Sequence, residues 1–185
     1  MEQTTELFID LLRKRNRAAC QRLVGDYGPA VFQLVRRIVV RQEDAEEVYQ
    51  DVFVKVFRNI ATYDAEKSAL RTWISRIAYN EAVTWLRHKR QPVIYFEDRE
   101  GRAEQLSDAE VEETLGHANE EMVQLIRAAL KHLPPEERAI VTMFYYEEMS
   151  LKEIAYVTES IPTTVASKLS RTRKKICKII KMLQS

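Results

Sequence analysis

The stretch LKEIAYVTESIPTTVASKLSRTRKKICKIIKML, residues 151–183, decides the architecture of the C-terminal half. Leu151 to about Val157 reads as a short helix and about Thr163 to Met182 as a long one. Between them, Thr158-Glu159-Ser160-Ile161-Pro162 is a short polar break that closes with an apolar residue and a helix-starting proline. In the long helix Val165, Leu169, Ile176, Ile180 and Leu183 recur at helical spacing and define an inward face. Thr164, Ser167, Lys168, Arg171, Lys174 and Lys175 fall outward. Two helices joined this way form a helix-turn-helix candidate, whose second member enters the major groove when the motif binds DNA. Hydroxyl and cationic side chains at its start can bond base edges and phosphates, and the later lysines can hold the backbone. The competing reading is a solvated basic helix end favoured by the helix dipole.

Upstream, Met122, Leu125, Ile126 and Leu130 mark another helix, and Pro134-Pro135 separate it from one carrying Ile140, Val141, Phe144 and Tyr145. Before these, Glu97 to Glu121 holds ten acids against Arg99 and Arg102, a net charge of −8. Large apolar residues are too few between Asp98 and Gly116 to supply a core, so this segment is expected to be an acidic linker following the break at Pro92, with transient helix at most.

The N-terminal half is also helical in spacing. Leu7, Leu11 and Leu12 suggest a first helix; Asn16 is a suitable N-cap for a second running toward Gly25; Pro29 is expected to open a third with Val31, Leu34, Val35, Ile38 and Val39. From Asp44 a strongly amphipathic helix buries Ala45, Val48, Val52 and Val56, with Phe53 and Phe57, and turns Glu47, Gln50 and Asp51 to the opposite face. After a break at Thr62 to Ser68, a further helix from about Ala69 to Arg90 stacks Leu70, Trp73, Ile74, Ile77, Ala78, Val83 and Leu86. This zone carries +5 between Lys67 and Arg90 and interleaves Tyr63, Trp73, Tyr79 and Trp85 with Arg76 and Arg87. Cations among aromatic rings suit single-stranded DNA. Trp73 and Ile77 fall on the inward stripe and are assigned to packing, leaving Tyr63, Asn80 and the basic edge as surface candidates.

The whole chain of 185 residues is therefore expected to be all-α: two small helical domains on an acidic linker, with a C-terminal helix-turn-helix. Its four glycines and five prolines are too few for a loop-rich β fold. A net charge of +1 argues against a nucleic-acid partner only if charge is evenly spread. It is a cancellation, because no acid follows Ile161 while seven lysines and arginines do. No stretch approaches the roughly 18 apolar residues of a membrane span, and the N-terminus does not read as a secretory signal, so no membrane insertion and a cytoplasmic location are expected. Cys20 and Cys177 read as reduced thiols. His88, His117 and His132 lack ligand-spaced neighbours, and no glycine-rich phosphate loop or nucleophile motif occurs, so no metal, no cofactor and no catalytic activity are expected.

Residues 43–90, EDAEEVYQDVFVKVFRNIATYDAEKSALRTWISRIAYNEAVTWLRHKR, resemble the second conserved region of bacterial RNA polymerase sigma factors. Residues 133–176, LPPEERAIVTMFYYEEMSLKEIAYVTESIPTTVASKLSRTRKKI, resemble the fourth. Their order and length resemble the compact extracytoplasmic-function group of the sigma-70 family. The resemblance implies a region 2 domain at 1–91, a linker at 92–118 and a region 4 domain at 119–185. It implies that Asp44, Glu47, Gln50 and Asp51 contact core RNA polymerase. It further implies that Tyr63, Arg76, Asn80 and Arg87 meet the melted minus-ten element, with 62–68 as the melting loop beside a flipped base. Thr164, Ser167, Lys168, Arg171, Lys174 and Lys175 would meet the duplex minus-thirty-five element. An anti-sigma protein is an implied further partner. Thr84, Ala166 and Ala65-Glu66-Lys67 depart from the residues common in the family, so promoter sequence does not transfer. Two other readings remain: a sigma-like protein that binds an anti-sigma partner, and a helix-turn-helix regulator of duplex DNA, each acting without core polymerase.

Overall fold

A computed structural model describes residues 2–89, 106–115 and 120–184, with side chains from residue 6 onward. All regular structure in these residues is helical, as the spacing predicts. The break at Pro92 and most of the acidic linker lie outside the described residues.

The first half comprises α1 (Glu2–Arg13), α2 (Arg17–Ile38), α3 (Gln42–Asn59), a single 3-10 turn (Ile60–Thr62) and α4 (Leu70–Lys89). Asn16 caps α2 as expected, its side-chain oxygen accepting the Ala19 N–H at 3.1 Å. Pro29 does not open a new helix; it lies inside α2, which continues from Arg17 to Ile38. An internal proline removes one backbone hydrogen bond and crowds the carbonyl four residues back, here that of Gly25. Gly25 is exposed with open space around it, so the backbone has room to give. The buried stripe Ala19, Leu23, Val31, Leu34, Val35, Ile38 runs through the proline, so packing outweighs the local penalty. Gly28 admits close approach instead: a Cβ there would stand 2.7 Å from the Tyr49 hydroxyl. Tyr49 is itself held between the rings of Phe32 and Phe53, at centroid distances of 5.5 and 5.1 Å.

The second half comprises α5 (Asp108–Leu115), α6 (Glu120–Lys131), α7 (Pro135–Tyr145), α8 (Leu151–Val157) and α9 (Pro162–Leu183). Prolines open α7 and α9, where the missing N–H costs nothing. Ser150 and Glu153 form a complete capping box at the start of α8. Glu148 and Glu159, on the flanks of α8, both take positive φ values of 52°, a conformation that favours glycine. The inward face of α9 holds Val165, Leu169, Ile176 and Ile180 as predicted, and adds Thr172, Cys177 and Ile179. Leu183 departs from the prediction: it is 47% exposed, because the helix outruns its partners at the last turn. The acidic segment also departs, since α5 packs on α9 and buries Val111 to 2% exposure. One valine facing an existing apolar stripe suffices for this, without the large residues that a self-contained core requires.

The two halves touch. Helix α2 lies against α7, and α4 lies against α7 and α8.

Candidate polymerase and nucleic-acid interfaces

On α3, Glu47, Gln50 and Asp51 are exposed on one acidic face. Asp44, placed with them by the sequence reading, is instead 6% exposed. Its Oδ1 accepts from Lys89 Nζ at 3.0 Å, and Arg41 Nε stands 3.8 Å from Oδ2. An acid in the first turn is favoured by the helix dipole, and the end of α4 brings its lysine across to meet it. Val54 is exposed three residues beyond Asp51. It adds an apolar surface that the sequence reading missed, although its position off the Val48, Val52, Val56 stripe is visible in the sequence.

In the 62–68 loop, Tyr63 is 6% exposed rather than on the surface. Its hydroxyl donates to the Ser68 carbonyl at 3.1 Å, closing the loop from inside, and its ring meets Trp73 edge-on at 5.5 Å. Burial pushes its phenol above the ordinary range. Arg13 of α1 donates to the Tyr63 carbonyl at 3.3 Å, and the Asp64 carboxylate accepts the Glu66 N–H at 3.0 Å. Tyr63 follows buried Ile60 by three residues, and that inward spacing is the signal that could have placed it.

Helix α4 carries Arg76, Asn80 and Arg87 along one stripe. Asn80 is half-buried and Arg87 exposed. Arg76 Nη2 donates to Glu159 Oε1 at 2.8 Å, and its guanidinium lies 4.8 Å from the centre of the Tyr156 ring. The Glu159 hydrogen bond raises the Arg76 pKa further above neutrality. Arg87 lines a groove of about 450 Å³ with Val83 and Leu86 of α4, Ile140 of α7, and Lys168 and Arg171 of α9. Residues expected to meet two different promoter elements therefore converge on one groove.

On α9, Ser167 and Arg171 are exposed while Thr164 and Lys168 are half-buried. The Ser167 hydroxyl donates to the Thr163 carbonyl at 2.9 Å, and Arg171 Nε to the Ser167 carbonyl at 3.3 Å. Lys175 and Lys174 are half-buried and meet acids: Lys175 Nζ is 2.6 Å from Glu137 of α7, and Lys174 Nζ is 3.9 Å from Asp108 of α5. Arg173, not singled out from the sequence, donates to Glu112 of α5 at 2.7 Å. The start of α9 is thus its open basic end, and the middle is engaged by the protein's own carboxylates. Among the described residues no group of three His, Cys, Asp or Glu side chains is placed to hold a metal ion. No helix among them is long and apolar enough to cross a membrane.

Comparison with known proteins identifies the family of both halves. The family described as Sigma-70 region 2 matches residues 23–91, and that described as Sigma-70, region 4 matches 123–176. The ECF RNA polymerase sigma factor SigW of Bacillus subtilis is 25% identical, over 99% of this chain and 100% of the relative. The RNA polymerase sigma-H factor of Pseudomonas aeruginosa is 29% identical, over 98% and 96%. The ECF RNA polymerase sigma-E factor of Escherichia coli strain K12 is 29% identical, over 94% and 92%. Among solved structures, CnrH in complex with the cytosolic domain of CnrY shares the fold, with a TM-score of 0.63, 23% identity, and coverage of 95% of this chain and 96% of that one. The sigma factor RpoE in complex with the anti-sigma factor NepR from Bartonella quintana does so at 0.64 and 19%, over 87% and 96%. Both halves of the chain, in order, are those of one family: it is an extracytoplasmic-function sigma factor of the sigma-70 family.

Proposed function

We propose that this chain directs core RNA polymerase to a set of promoters by dividing the work among three surfaces. The exposed face of Glu47, Gln50 and Asp51, with Val54 beside it, contacts core polymerase. Asp44 contributes from inside by fixing the start of α3 through Lys89. Arg76, Asn80 and Arg87 follow the melted minus-ten strand beside the 62–68 loop, which Tyr63 shapes from within rather than by stacking on a base. Unstacking and flipping a base costs a few kcal/mol, offset by phosphate contacts and the loop. The start of α9, with Thr164, Ser167, Lys168 and Arg171, reads the minus-thirty-five duplex; Lys174 and Lys175 join it after leaving their carboxylates. The polymerase performs the chemistry. An anti-sigma protein is a further partner, as the NepR complex of the Bartonella quintana protein suggests by likeness of fold.

The observation that carries this reading is the match of both sigma-70 regions, in order, to the halves that bear these surfaces. One consequence follows from distance. The two elements lie about 25 base pairs apart, or about 85 Å at 3.4 Å per step, and one groove cannot reach both. The arrangement described is therefore the DNA-free form, and promoter reading requires the second domain to swing away from the first. Transcription by core polymerase reconstituted with this chain, from promoters mapped after its overproduction, tests the reading. Start sites that depend on the chain are expected; no binding to core polymerase at low salt overturns it.

A further inference from the structure

Among the described residues, three polar side-chain contacts cross from the second half onto α4. Glu147 Oε2 lies 3.5 Å from Arg71 Nη2, Glu153 Oε1 accepts from the Thr72 hydroxyl at 2.9 Å, and Glu159 Oε1 accepts from Arg76 Nη2 at 2.8 Å. Two rings accompany them. The Arg37 guanidinium lies 5.2 Å from the centre of Tyr146, and that of Arg76 lies 4.8 Å from the centre of Tyr156. Arg37, Arg71 and Arg76 thus each meet a carboxylate, a ring or both. That is the chemistry a single strand offers: a phosphate oxygen for charge-assisted hydrogen bonds and a base for stacking.

We propose that segment 146–159 is an internal mimic of the melted strand, occupying the α4 surface until DNA displaces it. The inference rests on the minus-ten assignment of that surface and adds its occupant in the absence of DNA. Arg76 is the shared group, since a guanidinium held by Glu159 and Tyr156 is not available to a phosphate and a base. Glu153 is also committed to the Ser150 cap, so it stays with α8 when the domains part. Glu147 and Glu159 are therefore the separable contacts. Glu159 holds positive φ at 52°, which glycine adopts freely, so Glu159→Gly removes the carboxylate and keeps the turn.

The test uses the full chain, small-angle scattering and the anisotropy of a labelled 20-nucleotide polydeoxythymidine at low salt. The closed wild type is expected near a radius of gyration of about 16 Å, as a compact chain of this length has, and to expand on adding the oligonucleotide. Glu147→Gln with Glu159→Gly is expected to be expanded without DNA and to bind about three- to tenfold tighter. Removing acids also raises net charge, so the swap Arg71→Glu with Glu147→Arg provides the control. Either single change is expected to expand the chain, and the pair to return it to wild-type size. Unchanged size and affinity in the acid variants, or oligonucleotide binding with no expansion, overturns the proposal. Scattering needs no polymerase, so failure here is distinct from failure of the promoter assay.

Discussion

Asp44→Asn separates packing from recognition on α3. The change keeps the shape of the side chain and removes its charge. Asp44 has 9% of its side chain exposed and is bonded to Lys89, whose side chain is 42% exposed. A hydrogen bond to a charged group contributes about 1.5–3 kcal/mol, and a first-turn acid a further ~0.3–1 kcal/mol. Lys89 can turn back to water when released, which places the loss near the lower end, at about 2 kcal/mol. For a protein of this size that is a fall in Tm of about 4–8 °C. Asp51→Asn, on an exposed residue, is expected to stay within about 0.5 kcal/mol of wild type. Affinity for core polymerase is expected to behave oppositely, falling more for Asp51→Asn than for Asp44→Asn once both are measured well below the transition. Thermal unfolding and competitive binding to core polymerase report the two quantities. An Asp44→Asn variant with unchanged Tm and a core-binding defect as large as that of Asp51→Asn would refute the assignment of Asp44 to the interior.

Four other outcomes are expected. Gly25→Ala, with open space for a Cβ, should stabilise α2 by about 0.8–1 kcal/mol, whereas Gly28→Ala should lose that gain and destabilise by urea unfolding, because Tyr49 is pinned by two rings. Burial, with Glu136 nearby, pushes the Tyr79 phenol up to about 12. The folded state holds this proton more firmly than the unfolded one, so stability should fall between pH 10 and 12 by about 2–3 kcal/mol, a loss that Tyr79→Phe removes. Ser150→Ala should cost about 1 kcal/mol at neutral pH. Hydrogen bonds from Ser150, the backbone one foremost, hold the Glu153 carboxyl below its ordinary range, so its stabilisation is present above about pH 4.5 and lost as pH falls; the variant should show a shallower acid limb. Arg171→Ala should weaken duplex binding and lower the log–log salt slope by about 1, leaving core association intact in a direct binding assay.

Local signals carried most of the architecture. Asn16, Pro134-Pro135 and Pro162 each mark a helix boundary by a bond or dihedral that depends only on near neighbours; the Ser150-to-Glu153 box is an equally local signal that the sequence reading did not use. What failed depended on partners distant in sequence. Pro29 reads as a start because its own ring favours one, yet the apolar stripe on both sides binds α2 into a single helix. Asp44 reads as surface until Lys89, forty-five residues on, is known to reach it. The loop reading of Tyr63 likewise lacked Ser68 and Trp73, the groups that draw it inward. The site was legible as a set of basic and acidic faces, but not as faces that meet. Docking of the two halves rests on Arg76 with Glu159 and Arg71 with Glu147, each a pair of ordinary charged residues seventy-six or more positions apart.

If the start of α9 reads duplex as proposed, the seat of α5 on α9 bears on how the protein travels through a genome. Arg173 is matched by Glu112, Lys174 faces Asp108, and Lys175 is matched by Glu137 of α7. A cation already neutralised releases no counterion from random duplex, so these three add little to the sequence-independent affinity that would detain the protein at chance sites. Dwell time on wrong sequence then depends mainly on the open start of α9. The acids beside the helix act as a brake on loitering, and they leave the commitment to a promoter to the few side chains that can tell one base from another.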